Sequence, residues 1–207
     1  MTESGLREAD AAAHLFLSVK TWLASLEHPA LPPFLDPLRR AERLRHPEPS
    51  GLPVLAWLDA LPAGAAEETA VPVVELIDTA LELRWSQTYA AADFGPVFLE
   101  RYGWTELAGQ RGPFQSDEIA AGLMMLGPDT DYPAHRHAAE EVYIVLSGAA
   151  SWSRDGVLGI QPAGTLIHHP SMVWHGVATS REPLLALYLW RGGNLTQKSE
   201  IKARTSA

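Results

Sequence analysis

From Trp85 onward the chain is cut into short apolar runs by turn-forming clusters, and this rhythm constrains its fold more than any other feature. The clusters are Gly95-Pro96, Gly112-Pro113, Gly127-Pro128-Asp129, Ser147-Gly148, Asp155-Gly156, Pro162-Ala163-Gly164 and Gly192-Gly193. Glycine and proline at such intervals interrupt helices and set turns. Between them, the runs from Glu141 to Leu146 and from Leu184 to Trp190 are the clearest strands. Asp155-Gly156 reads as the two-residue turn of a hairpin. Short strands separated by turns predict a mainly β sandwich or barrel.

The stretch before Trp85 has a different period. Leu15, Val19, Trp22, Leu23 and Leu26 recur at intervals of three and four, the stripe of an amphipathic helix. His28-Pro29 and Pro32-Pro33 end that segment. Further helices are expected over Phe34 to Leu44, Val54 to Leu61 and Ala70 to Leu83. Thr69 is placed to cap the last of these, and Pro72 is tolerated in its first turn. Val73, Val74, Leu76, Ile77 and Leu81 would supply its apolar contacts. The expected division is a helical segment over 1–84 and a β domain over 85–207, with a loose polar tail from Thr196 to Ala207.

Composition excludes several classes. The 207 residues contain no cysteine, which removes disulfide scaffolds, thiolate zinc sites and cysteine nucleophiles. The net charge of -9 disfavours nucleic acid as a partner. Charged residues interrupt the first twenty positions, so no secretory signal is read there. No stretch reaches the roughly 18 apolar residues needed to cross a bilayer. The default expectation is a cytoplasmic chain with no membrane partner; nothing in the sequence fixes its oligomeric state.

The chemistry concentrates in the histidines. His14, His28 and His46 are scattered, whereas His135, His137, His168, His169 and His175 fall in the β part. On a strand, residues two apart project to one face, which pairs His135 with His137 and Glu141 with Tyr143. Two histidines, a carboxylate and His175 converging inside a barrel would make a nitrogen and oxygen site for iron, zinc, manganese, nickel or cobalt. The bland alternative is a polar turn at His135-Arg136-His137 and a surface His175.

The run resembles the two motifs of the cupin superfamily. His135-x-His137-x3-Glu141-x6-Gly148 follows the first, and Gly164-x5-Pro170-x4-His175-x3-Thr179 follows the second. Met172 and Thr179 stand where the pattern has glycine and asparagine, and Asp129 where a glycine precedes the first motif. These departures touch turn geometry, not the ligands. The resemblance implies a double-stranded β-helix, or jelly-roll barrel, with one divalent transition metal held by His135, His137, Glu141 and His175. The same register selects His175 over His168 and His169, and Glu141 over Glu140.

HRHAAEEVYIVLSG followed by PLLALYLWRGG is similar to the cupin-type dimethylsulfoniopropionate (DMSP) lyases, as is a helical segment ahead of the barrel. That resemblance implies a carbon–sulfur lyase acting on a small zwitterion, with Tyr143 as the base and Tyr132 and Trp190 at the substrate. Cleavage is a β-elimination to dimethyl sulfide and acrylate. Proximity to the metal would favour the phenolate of Tyr143, whose unperturbed pKa is about 10. Trp22 and Trp57 read as core, and Trp174 should point away from the metal. Tyr89 and Tyr102 carry no supporting spacing. Competing readings are another cupin enzyme, a dioxygenase or isomerase on a small carboxylate, and a non-catalytic cupin that binds a small molecule.

Overall fold

The computed structural model describes residues 3–43 and 45–202. Helix α1 (Glu3–Ser25) buries Leu15, Phe16, Val19 and Leu23 along one stripe. Trp22 lies at the stripe's edge and donates its indole N–H to the Glu68 carbonyl at 2.7 Å. Helix α2 (Pro32–Arg40) opens on two prolines and buries Phe34 and Leu38. It stops earlier than the expected end at Leu44, because Glu42–Arg43 extends into a short strand, β1. Leu44 itself lies outside the described residues.

A 3₁₀ helix over Pro53–Ala60 runs into α3 (Leu61–Gly64). Helix α4 (Ala70–Thr79) gives way to a 3₁₀ turn over Ala80–Glu82, short of the expected Leu83. Val73 and Leu76 are buried as expected, but Val74 and Leu81 face solvent. Thr69 does not cap α4: its hydroxyl accepts the Ala66 N–H at 2.9 Å and donates to the Leu146 carbonyl at 2.7 Å. The Ser147 hydroxyl donates to the Leu61 carbonyl at 2.6 Å, and the Gly148 N–H to the Gly64 carbonyl at 2.9 Å. The helices are thereby fastened to one strand of the β part.

After β2 (Trp85–Ser86) come two short helices, α5 (Ala91–Phe94) and α6 (Pro96–Glu100), where the sequence offered only a turn signal. The strands follow: β3 (Tyr102–Gly109), β4 (Phe114–Gln115), β5 (Ile119–Leu126), β6 (Asp131–Arg136), β7 (Glu140–Ser147) and β8 (Ala150–Arg154). The remainder are β9 (Val157–Gln161), β10 (Leu166–His169), β11 (His175–Thr179), β12 (Leu184–Arg191) and β13 (Glu200–Ile201). One sheet has the order β1-β4-β3-β5-β12-β7-β10 with β2 beside β3, and the other β13-β6-β11-β8-β9. The expected barrel is thus two sheets, and no described strand is hydrogen-bonded into both. Asp155 and Gly156, at φ of 48° and 84°, form the tight turn between β8 and β9.

Strand β12 shows why its run is continuously apolar. Leu185, Leu187 and Leu189 pack with the helices on one face, while Ala186, Tyr188 and Trp190 turn to the other. The second face shares its core with Trp152 and Val177 of the smaller sheet. The tail is less loose than expected: Glu200 and Ile201 pair with Arg136 and His135, and Arg136 Nε binds the Glu200 carboxylate at 2.9 Å. Residues 203–207 lie outside the described part.

Candidate active site

Cross-strand register builds the inner face of the larger sheet in rows, because paired residues project to the same side. One row runs Ala120, Trp190, Glu141, His169 across β5, β12, β7 and β10. The next runs Glu106, Gly122, Tyr188, Tyr143, Ile167, beginning on β3. Gly122 is required there: a Cβ would stand 2.6 Å from the Tyr188 hydroxyl and 2.1 Å from the Thr105 carbonyl. From the smaller sheet, His135 and His175 are register partners on β6 and β11, and His137 follows directly after β6.

His135, His137 and His175 each offer a ring nitrogen within 4.8 Å of the others, and all three are buried. Their Nδ1 atoms face the carbonyls of Pro133 at 2.9 Å, Ala139 at 2.9 Å and Val173 at 3.0 Å. A carbonyl only accepts, so each Nδ1 donates there and the Nε2 atoms are left to face one another and Glu141. Backbone carbonyls in this role orient metal-binding imidazoles. The Glu141 Oε2 stands 3.1 Å from the Nε2 atoms of both His137 and His175. His175 Nε2 nevertheless has no aligned hydrogen-bond partner. Three ring nitrogens converging beside a fully buried carboxylate are a donor set that fits a divalent transition metal.

Burial and neighbouring charge shift His135, Glu141 and Tyr143. Burial, then the neighbouring His175, pushes the His135 imidazole well below its ordinary pKa. Burial works against the charge of Glu141, but His137 and His175 outweigh it and hold the carboxyl well below its usual range. Burial and the charge of Glu141 push the Tyr143 phenol well above 10, so the protein alone keeps it protonated. The expected lowering of that phenol therefore has to come from a bound cation.

Tyr132 stacks on His135 with ring centroids 4.2 Å apart, and its hydroxyl lies 2.8 Å from that of Tyr89. Trp190 lies against His137 at 4.0 Å and donates its indole N–H to Glu141 Oε1. It therefore holds a ligand candidate as well as lining the pocket. Trp174 faces away, under the Arg136 guanidinium at 4.4 Å. His168 binds Glu140 at 2.8 Å, outside the cluster.

A tight pocket of about 50 Å³ opens beside the cluster. Tyr89, Tyr102, Tyr132, Tyr143 and Tyr188 all line it, and these are the chain's five tyrosines. Trp104, Trp190, Met124 and Arg111 complete much of the wall. Sequence reasoning missed Tyr188, which shares the face of Trp190 by strand alternation and could have been found that way. It also missed Arg111, which reaches the pocket from a loop and leaves no periodic signal.

The family model of dimethylsulfoniopropionate lyases matches residues 35–186, most of the chain. The chain belongs to the dimethylsulfoniopropionate lyase family. It is 37% identical over 113 residues to dimethylsulfoniopropionate lyase DddQ of Ruegeria pomeroyi, covering 53% of this chain and 55% of that protein. It is 28% identical over 111 residues to a putative dimethylsulfoniopropionate lyase, DddL, of Cereibacter sphaeroides, covering 53% of this chain and 46% of that protein. The chain thus spans about half the length of the curated relatives it matches.

The crystal structure of DMSP lyase DddQ from Ruegeria pomeroyi DSS-3 superposes with a TM-score of 0.83 at 28% identity, covering 93% of this chain and 96% of that one. A chain from the crystal structures of DMSP lyases RdDddP and RnDddQII gives 0.83 at 28% identity, covering 95% and 100%. The fold of this DMSP lyase family member is a pair of β-sheets with helices at its N-terminal end.

The glycine departures from the cupin motifs now have a structural account. Asp129 and Met172 keep the left-handed backbone of a glycine, at φ of 50° and 63°. Their N–H groups are tied to the carbonyls of Ser180 at 2.6 Å and His137 at 2.9 Å. Thr179 accepts the Thr130 N–H at 2.9 Å and donates to the Gly127 carbonyl at 2.7 Å.

Proposed function

We propose that this chain cleaves dimethylsulfoniopropionate by β-elimination to dimethyl sulfide and acrylate. The observation that carries the reading is a buried histidine–carboxylate cluster against which Tyr132 and Trp190, two walls of the five-tyrosine pocket, are stacked. Family membership supports the same chemistry. We assign His135, His137, Glu141 and His175 to one divalent transition ion, Tyr143 to the base, and Tyr132 and Trp190 to the substrate. All of these fall within 85–207, which supports a division of the chain near Trp85, with 1–84 as a covering segment.

A divalent ion, when bound, supplies Lewis-acid charge beside the substrate carboxylate and favours the phenolate of Tyr143. The phenolate oxygen of Tyr143 then takes the proton from the carbon next to that carboxylate. The electron pair of the broken C–H bond forms the new C=C bond, and the C–S pair leaves with neutral dimethyl sulfide. No general acid is needed, because the leaving group carries no negative charge. Aromatic faces hold the sulfonium at roughly 0.5–2 kcal/mol per ring. The tyrosine and tryptophan walls leave little room for water, which keeps these attractions strong. The test is to load the full chain with iron, zinc, manganese, nickel or cobalt, add DMSP and measure dimethyl sulfide in the headspace. Silence with all five would remove the reading.

A further inference from the structure

Among the described residues lining the aromatic pocket, Arg111 is the only one with a full charge. Its guanidinium stands 4.5 Å from the Trp104 ring, and Trp104 and Arg111 are also part of the wall of a second cavity of about 370 Å³. That cavity brings Arg43, Arg45, Arg84 and Arg111 together against Glu48, Glu82 and Glu106. Glu106 is already engaged, accepting the N–H groups of Arg111 at 2.6 Å and Gly112 at 2.9 Å and the Arg111 Nε at 3.1 Å. Arg45 donates its Nη1 to the carbonyls of Gly109 and Gly112, both at 3.1 Å, which are neutral acceptors. Arg84 is exposed at the same cavity. Four guanidiniums from three separate stretches face three carboxylates, one of them Glu106 held by Arg111, so this lining carries a formal charge of +1 in a chain of net charge -9.

We propose that this cavity is a second anion site for small monocarboxylates, entered past Arg111 and Trp104, and that it receives the carboxylate product leaving the pocket. The proposal rests on the lyase reading for the identity of that product. Of the two products, dimethyl sulfide is neutral and needs no charged path. Acrylate has to exchange its contacts at the reacting centre for others, and guanidiniums are the groups best shaped to take a carboxylate. The shared wall places such a group at the boundary of both spaces.

The experiment titrates acrylate into the metal-loaded full chain by calorimetry, beside Arg111→Met and Arg84→Gln, with inorganic phosphate as a parallel probe. The expected result is an acrylate site weakened roughly tenfold or more by Arg111→Met, the usual loss when a charge-assisted hydrogen bond is deleted. Arg84→Gln should weaken it by about two- to fivefold and make it less sensitive to salt, as for an exposed charge. No acrylate binding, binding indifferent to Arg84→Gln, or binding of phosphate alone would overturn the proposal. Arg111→Met uncovers the buried Glu106; should it fail to fold, Arg84→Gln decides alone. The headspace assay is independent: acrylate binding that responds to these variants without DMSP turnover keeps the site and removes the lyase reading, and turnover without such binding does the reverse.

Discussion

Replacing Trp190 by phenylalanine keeps an aromatic ring beside His137 and removes a single N–H. That N–H is the donor to Glu141 Oε1, and the Glu141 side chain is fully buried. No water can readily replace it, so the carboxylate loses a charge-assisted hydrogen bond worth about 1.5–3 kcal/mol. If the loss falls on the metal-bound state, affinity for the ion drops by roughly ten- to a hundredfold, the usual effect of removing a group that orients a ligand. The assay is a competition between the chain and a chelator of known strength, with zinc and cobalt, for wild type and Trp190→Phe. A melting curve of each protein checks that the fold is retained. A metal affinity within twofold of wild type, together with a raised KM for DMSP, would refute the reasoning. Trp190 would then be a wall of the pocket and nothing more.

Tyr143→Phe should retain metal and lower turnover by roughly 10²–10⁴, the usual contribution of a positioned base; full activity would remove Tyr143 from that role. Thr179→Val deletes one donor and one acceptor at a buried turn and should cost about 1–3 kcal/mol in a denaturation curve. Metal-stripped protein should lose stability as pH falls below about 6.5, by about 1.4 kcal/mol per pH unit for each histidine kept neutral by the fold. The sign follows from burial, which depresses His135 and takes His169 down to about 3, so that below 6.5 only the unfolded chain gains those protons. Denaturation midpoints that stay level between pH 6.5 and 5 would contradict this.

The histidine cluster was legible in the sequence because strand alternation and motif spacing act over a few residues. Glu141 and Tyr143 share a face for that reason, and His175 rather than His168 joins the cluster, as the motif register selects. His169 was passed over by the same register, yet it is buried and stacks on His175 at 4.2 Å, because it is the register partner of Glu141. Tyr89, Tyr102 and Arg111 come from a loop, a distant strand and another loop, and only the tertiary fold brings them to one pocket. Helix ends were the least legible. Thr69 had the right chemistry for a cap, but a strand carbonyl competed for its hydroxyl and won.

The five tyrosines have a use beyond their chemistry. Every phenol in the chain lies in one pocket, and burial raises the pKa of each. Phenolate absorbance is therefore silent in the folded protein well past the point where exposed tyrosine ionises, near pH 10. Any phenolate band that emerges at neutral pH on adding metal comes from that pocket alone, and Tyr143→Phe assigns it. The protein carries its own optical gauge of that pocket, without a dye or a label.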